Sequence, residues 1–291
     1  MLFAEPGIYW RREPAAGLAP LLVDVSRSGR EYPPHYRTPL PFNTVHDNVS
    51  MYVEELWAGA PEVGGTLLFC SFPNTWIDVN RNEADMDPAA VDGTWPHELK
   101  PSPRTLEGLG LIKTRSRYGE PFQERKLTVA EIEERLNDYY RPYHAELKRN
   151  VDALYARFGA LRHISCHCMS AVGAPTHPDA GKPRADFCVS DLRGRTASKD
   201  AMALVVDALR GYGYSVSVND PYVGNELIAR HGDPARGIDS IQIEINKKLF
   251  MDTETFRKTA GFASLERDLD RLLSVIASDS SARAGSRQPR R

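Results

Sequence analysis

Neither sign of charge dominates this sequence: 37 Lys and Arg stand against 39 Asp and Glu, a formal net charge of −2. That balance gives no general reason to expect nucleic acid or an anionic membrane surface as a partner. No apolar run approaches the length needed to span a bilayer, so no membrane-embedded segment is expected. Cysteine is scarce, with four residues in 291. So few cannot form a disulfide framework, and a reducing cytoplasm is the expected compartment. The start, "MLFAEPGIYWRREP", lacks a basic region followed by an apolar core, so no secretory signal is read there. There is no internal repeat.

Hydrophobic residues make up 41% of the chain and charged residues 26%, the balance of an ordinary globular protein. "PLLVDVS" (20–26) and "GGTLLFCSF" (64–72) read as buried strands. Between them Val45, Val49, Tyr52, Val53, Leu56 and Trp57 recur at helical spacing and predict an amphipathic helix over 45–58, with Thr44 and Asp47 at its start. A long helix begins at "LTVAEIEERL" with a Thr128-x-x-Glu131 cap, and Pro142 predicts a kink or break in it. Further strands follow at "ADFCVSD", "YSVSVND" and "IDSIQIEIN", with helices from Ser198 to Leu209 and through Leu265, Leu269, Leu272 and Ile276. This alternation predicts one α/β domain over residues 1–279, its sheet mostly parallel or mixed and covered by helices on both faces. Residues 280–291, polar and basic, are expected to form a disordered tail. The Pro- and Gly-rich stretch from Asn82 reads as a long irregular loop of the kind that serves function or moves.

"LRHISCHCM" (161–169) concentrates two histidines and two cysteines just after a helix-ending glycine, so it reads as a strand. His163, Ser165, His167 and Met169 then share one face, and Ile164, Cys166 and Cys168 the other. His163 and His167 would lie about 13 Å apart, at roughly 3.3 Å per residue. One zinc cannot bridge that distance with bonds of about 2.0–2.1 Å. His167 alone, near the strand's C-terminal end, remains as a candidate, because α/β sheets place their ligands there.

In "IDVNR" (77–81), Asn80 and Arg81 could grip a carboxylate, although an Asp–Arg surface pair is the commoner outcome. "SIQIEIN" puts Gln242, Glu244 and Asn246 on one face of a strand. In a sheet covered on both sides they would line a cleft, where Glu244 could serve as general base. "NDPYVGNELI" (219–228), carrying Asn219 and Tyr222, is suited to closing over a ligand or to being a simple turn. His46 and Asp47 sit near a helix start, as a cap or as metal ligands.

Taken in order, "SRSGREYP", "HDNVSMYVEELW", "FPNTWIDVNR", "YYRPYHAEL", "SCHCM", "NDPYVG" and "IQIEINKKLFMD" resemble the N-formylglutamate amidohydrolase family over about residues 20–275. These are zinc hydrolases distantly related to zinc carboxypeptidases and aspartoacylases. The resemblance implies a zinc-peptidase-like α/β domain, a bound zinc, and hydrolysis of an amide in a small acidic N-acyl amino acid. It makes His167 a zinc ligand, Glu244 the carboxylate that activates water, and Asn80 with Arg81 the pair that holds the substrate carboxylate. Where members carry Pro-His-Ser-Gly, this chain has Ser26-Arg27-Ser28-Gly29, and arginine cannot bind zinc because it stays protonated. Two outcomes are open. Either His46 and Asp47 join His167 in a rebuilt metal site, or Arg27 stands in the metal's place and, with Arg81, binds a small acidic ligand without catalysis.

Overall fold

A computed structural model describes residues 1–15 and 17–287. Its ten strands are β1 (Leu2–Glu5), β2 (Tyr9–Arg12), β3 (Leu21–Val25), β4 (Thr66–Cys70), β5 (Val91–Asp92), β6 (Leu127–Thr128), β7 (Leu161–Met169), β8 (Phe187–Ser190), β9 (Val216–Val218) and β10 (Ile238–Asn246). Eight form one sheet in the order β1-β2-β4-β3-β7-β10-β8-β9, while β5 and β6 pair separately. The central run β4-β3-β7-β10 is parallel, and β1, β2 and β8 join antiparallel. This is the mixed, mostly parallel sheet that the alternation of elements predicted. Among the described residues no helix is long and apolar enough to cross a membrane.

The two faces differ in kind. On one, Leu21, Val23, Ile164, Cys166, Ile241, Ile243 and Ile245 pack against the helices Lys199–Gly211 and Phe262–Arg287 in the larger apolar core. On the other, helix Arg141–Phe158 covers Leu22, Leu68 and Leu161, and polar residues share the same face further along. There Ser240 lies opposite His163, Gln242 opposite Ser165 and Glu244 opposite His167. All six are buried, which follows from period-2 alternation in strands covered on both sides.

Several expectations change. The helix predicted over 45–58 is two short pieces, Phe42–His46 and Val53–Leu56. Tyr52 breaks it with a left-handed backbone, φ 67°, so the apolar spacing is met by a turn. Thr44 lies inside the first piece, whose N-cap is Pro41, and Asp47 follows its end. The Thr128–Glu131 capping box forms as read. Pro142 sits in the first turn of Arg141–Phe158, directly after a π-helical turn over Leu136–Tyr140, so the long helical segment is interrupted just before the proline. The expected disordered tail is helical through Arg287. Ser280 is buried with its hydroxyl on the Pro20 carbonyl at 2.9 Å, and Ala284 is buried, so few contacts suffice to extend a helix already docked. Residues 288–291 lie outside the described residues.

The chain leaves β3 through Ser26–Gly29, and Gly29 packs directly on the backbone of Ser71 and Phe72. An added Cβ there would collide with both carbonyl groups. Gly29→Ala should therefore lower the unfolding free energy by about 2 kcal/mol or more in urea titration. Gly211→Ala, where a Cβ meets nothing within 4 Å, should leave stability unchanged or slightly raised.

Candidate active site

A cavity of about 350 Å³ opens at the C-terminal ends of β3, β4, β7 and β10, where a parallel sheet presents its ligands. Arg27, Asp78, Asn80, Arg81, Lys113 and Glu244 all line it. Asp78 is completely buried. Arg27 donates to it twice, Nε to Oδ1 at 3.0 Å and Nη2 to Oδ2 at 2.7 Å, and the Lys113 ammonium adds a third bond at 3.0 Å. Burial alone would raise the Asp78 pKa, but Arg27 and Lys113 outweigh it and hold the carboxyl well below its usual range. Burial also lowers Lys113, to about 8, against the opposing pull of Asp78.

Glu244 has the opposite environment. Among the described residues its one side-chain partner is the Gln242 amide at 3.1 Å, and burial pushes its pKa up to about 7 despite the positive charges of Arg27 and Arg184. Such a carboxyl changes charge near neutrality, the condition for a general base or acid.

Asn80 faces the cavity, but its amide is already engaged. Nδ2 reaches Gln242 Oε1 at 3.2 Å and His167 Nε2 at 3.3 Å, and Oδ1 accepts the Leu227 N–H at 3.1 Å. It acts as framework. Arg81 is the cavity's least satisfied cation. Its Nη1 is 3.5 Å from Asp85, a carboxylate already bound by Ser102 N–H at 2.7 Å, and its buried Nε has no partner. Arg81 is therefore the group best placed to take a ligand carboxylate. Tyr222 also lines the cavity, whereas Asn219 does not. The Asn219 side chain ties Asp191 and the Arg193 amide, at 2.8 and 3.2 Å, so its role is the turn.

The three expected metal ligands are not brought together. His167 lies behind Asn80, and burial with the nearby Arg27 charge lowers its pKa to about 3, leaving it neutral. Its Nδ1 is buried without a partner. His46 points to the Tyr32 hydroxyl at 3.0 Å and stacks on Phe42. Asp47 is held by Lys247 at 3.2 Å and Arg117 at 3.5 Å, and neither His46 nor Asp47 lines the cavity. Among the described residues no three His, Cys, Asp or Glu side chains gather into a metal-binding group. One neutral histidine under the influence of a permanently charged guanidinium does not fit a zinc site.

A model of the N-formylglutamate amidohydrolase family matches residues 19–251, most of the sheet and every cavity-lining group just named. The chain belongs to that family. A crystal structure of N-formylglutamate amidohydrolase from Ralstonia eutropha JMP134 is 38% identical, covers 95% of this chain and 99% of its own, and superposes with a TM-score of 0.89. An N-formylglutamate deformylase of Pseudomonas putida is 27% identical over 213 residues, 70% of this chain and 72% of its own. A gene product of Agrobacterium tumefaciens shares the fold at 16% identity, with a TM-score of 0.67 over 94% of this chain and 95% of that one.

Within this member of the N-formylglutamate amidohydrolase family, sequence reading missed Lys113, Arg104, Arg117 and His177, which complete the cavity wall. Lys113, Arg117 and His177 come from irregular segments and Arg104 from a four-residue helix, Pro103–Leu106, too short for periodicity to mark a side chain's direction. His177 is kept neutral by burial and by Arg104, Arg184 and Arg117, its pKa lowered to about 3.

The raised Glu244 pKa has a stability consequence. Unfolded, this carboxyl ionises near 4.3. Folded, it keeps its proton until about pH 7. Between those values the native state binds the extra proton, so stability falls as pH rises and the penalty is complete above pH 7. Glu244→Gln, which removes the charge, should be more stable than wild type by on the order of 2–4 kcal/mol at pH 8 and nearly equal to it at pH 4.5. Parallel urea titrations at the two pH values check this. A gap independent of pH would contradict the burial account.

Proposed function

We propose that this chain hydrolyses the amide bond of a small acidic N-acyl amino acid, with N-formylglutamate as the reference substrate. Family membership sets the substrate class, and the observation that carries the reading is Glu244, a buried carboxyl with a pKa of about 7 on the wall of a cation-lined cavity. Arg81 pairs with a substrate carboxylate and fixes the scissile amide across the cavity. Ionised Glu244 takes a proton from water as its oxygen attacks the acyl carbon. The C–N bond then breaks, and Glu244 returns the proton to the departing amine, giving a carboxylic acid and a free amino acid. The Arg27 and Lys113 cations face the negative charge that develops on the acyl oxygen, while Asp78 holds both in place.

One observation favours a second reading. Arg27 and Lys113 are already paired with Asp78, which suits a protein that binds an acidic ligand without turning it over.

The test is release of formate and glutamate from N-formyl-L-glutamate by the purified chain, with and without a chelator. Turnover is expected under both conditions. Glu244→Gln should lower kcat by about 10²–10⁴-fold. Arg81→Ala should raise KM by about tenfold, the value of one charge-assisted hydrogen bond. No release with any metal supplied, together with ligand binding that Arg81→Ala abolishes, would overturn hydrolysis in favour of the binding reading.

A further inference from the structure

A second cavity, of about 220 Å³, lies away from the one just described, between the 35–37 segment, the 123–127 turn and the helix beginning at Val129. Its floor holds an unusual cation. Arg135 is only 6% exposed, and among the described residues no carboxylate pairs with it. Its Nη1 donates to the Trp76 carbonyl at 2.8 Å, its guanidinium lies 3.6 Å over the Trp76 ring, and its Nε is buried with no partner. The Trp76 indole N–H is likewise buried and unpartnered.

A buried guanidinium without a counter-anion is costly, and burial indeed pulls the Arg135 pKa down to about 10. The neighbouring acids Glu131 and Glu134 offset only part of that cost. Glu131 is held by Arg125 at 2.6 Å and serves the Thr128 cap, and Glu134 pairs with His35 at 3.2 Å. Stacking on Trp76 fixes the plane of the guanidinium, so its remaining donors keep one orientation.

We infer that this cavity binds a small monocarboxylate, its oxygens on the free donors of Arg135 over the face of Trp76. A single negative charge suits the site better than a multiply charged anion. Arg37, Arg125 and Arg135 are matched around the lining by Glu124, Glu131 and Glu134, which would repel further negative charge. The inference does not depend on amide hydrolysis in the first cavity.

Tryptophan emission of Arg81→Ala protein, titrated with acetate at constant ionic strength, tests it with the first cavity's free cation removed. A saturable change is expected, and it should vanish when Trp76→Phe is added. Arg135→Gln should raise the midpoint by about tenfold, the loss of one charge-assisted bond. Glu124→Lys, at an exposed rim position, should lower it several-fold. Sulfate should not reproduce the response. No saturable change, or unaltered midpoints in both charge variants, would overturn the proposal. If Arg135→Gln fails to fold by circular dichroism, the Glu124→Lys shift decides alone.

Discussion

The Asp78 carboxylate, buried and shared by Arg27 and Lys113, is the contact on which the candidate active site depends. It joins three stretches distant in sequence: the turn after β3, the 73–81 segment after β4, and the long loop that ends at Lys113. Its own backbone adds to the junction, with Asp78 N–H on the Leu111 carbonyl at 3.0 Å and Asn80 N–H on Oδ1 at 3.1 Å. Three ions taken out of water are stable only if each remains paired, and removing one partner of such a set costs about 3–5 kcal/mol. The arrangement therefore fixes the cavity's shape and its charge together. The same pairing leaves Arg81 as the cation with donors to spare.

Beneath the cavity, a polar stripe runs across the sheet. Asp24 accepts from His163 at 2.8 Å, and His163 contacts Ser240 at 2.6 Å. Further up, Ser165, His167, Asn80 and Gln242 link in turn, ending at Glu244. Polar groups this deep persist because nearly all are hydrogen-bonded to one another. The exception is His167 Nδ1, which is buried and has no partner among the described residues. The stripe holds Glu244 through Gln242 without supplying a formal charge to neutralise it, which is why burial can lift its pKa.

Strict alternation made the floor of this site legible in sequence. "LRHISCHCM" and "SIQIEIN" each declare two faces, and the structure pairs them residue by residue, with Glu244 opposite His167. The walls were less legible. Lys113, Arg117 and His177 come from loops, where direction is set by tertiary contacts that no local spacing encodes. The predicted 45–58 helix failed at Tyr52, because an apolar period of three to four is also met by two short helical turns around a left-handed residue. At the C-terminus, composition suggested a tail, yet docking of Ser280 and Ala284 carries the helix on. Composition reports what a segment prefers alone. It does not report what a neighbouring surface makes of it.

The family likeness and the site chemistry diverge at one position. Ser26-Arg27-Ser28-Gly29 keeps the glycine that lets the turn pack on Ser71 and Phe72, but its second residue is a permanent cation bonded to Asp78. A positive charge is thus present beside His167 without any ion, and the side chains that could have rebuilt a metal site are turned elsewhere. We propose that Arg27 takes the place of a metal in this member of the N-formylglutamate amidohydrolase family. Elemental analysis of protein exposed to zinc and then desalted tests it most directly. Far less than one zinc per chain is expected, with no difference between wild type and His167→Ala. About one zinc per chain, lost in His167→Ala, would contradict it.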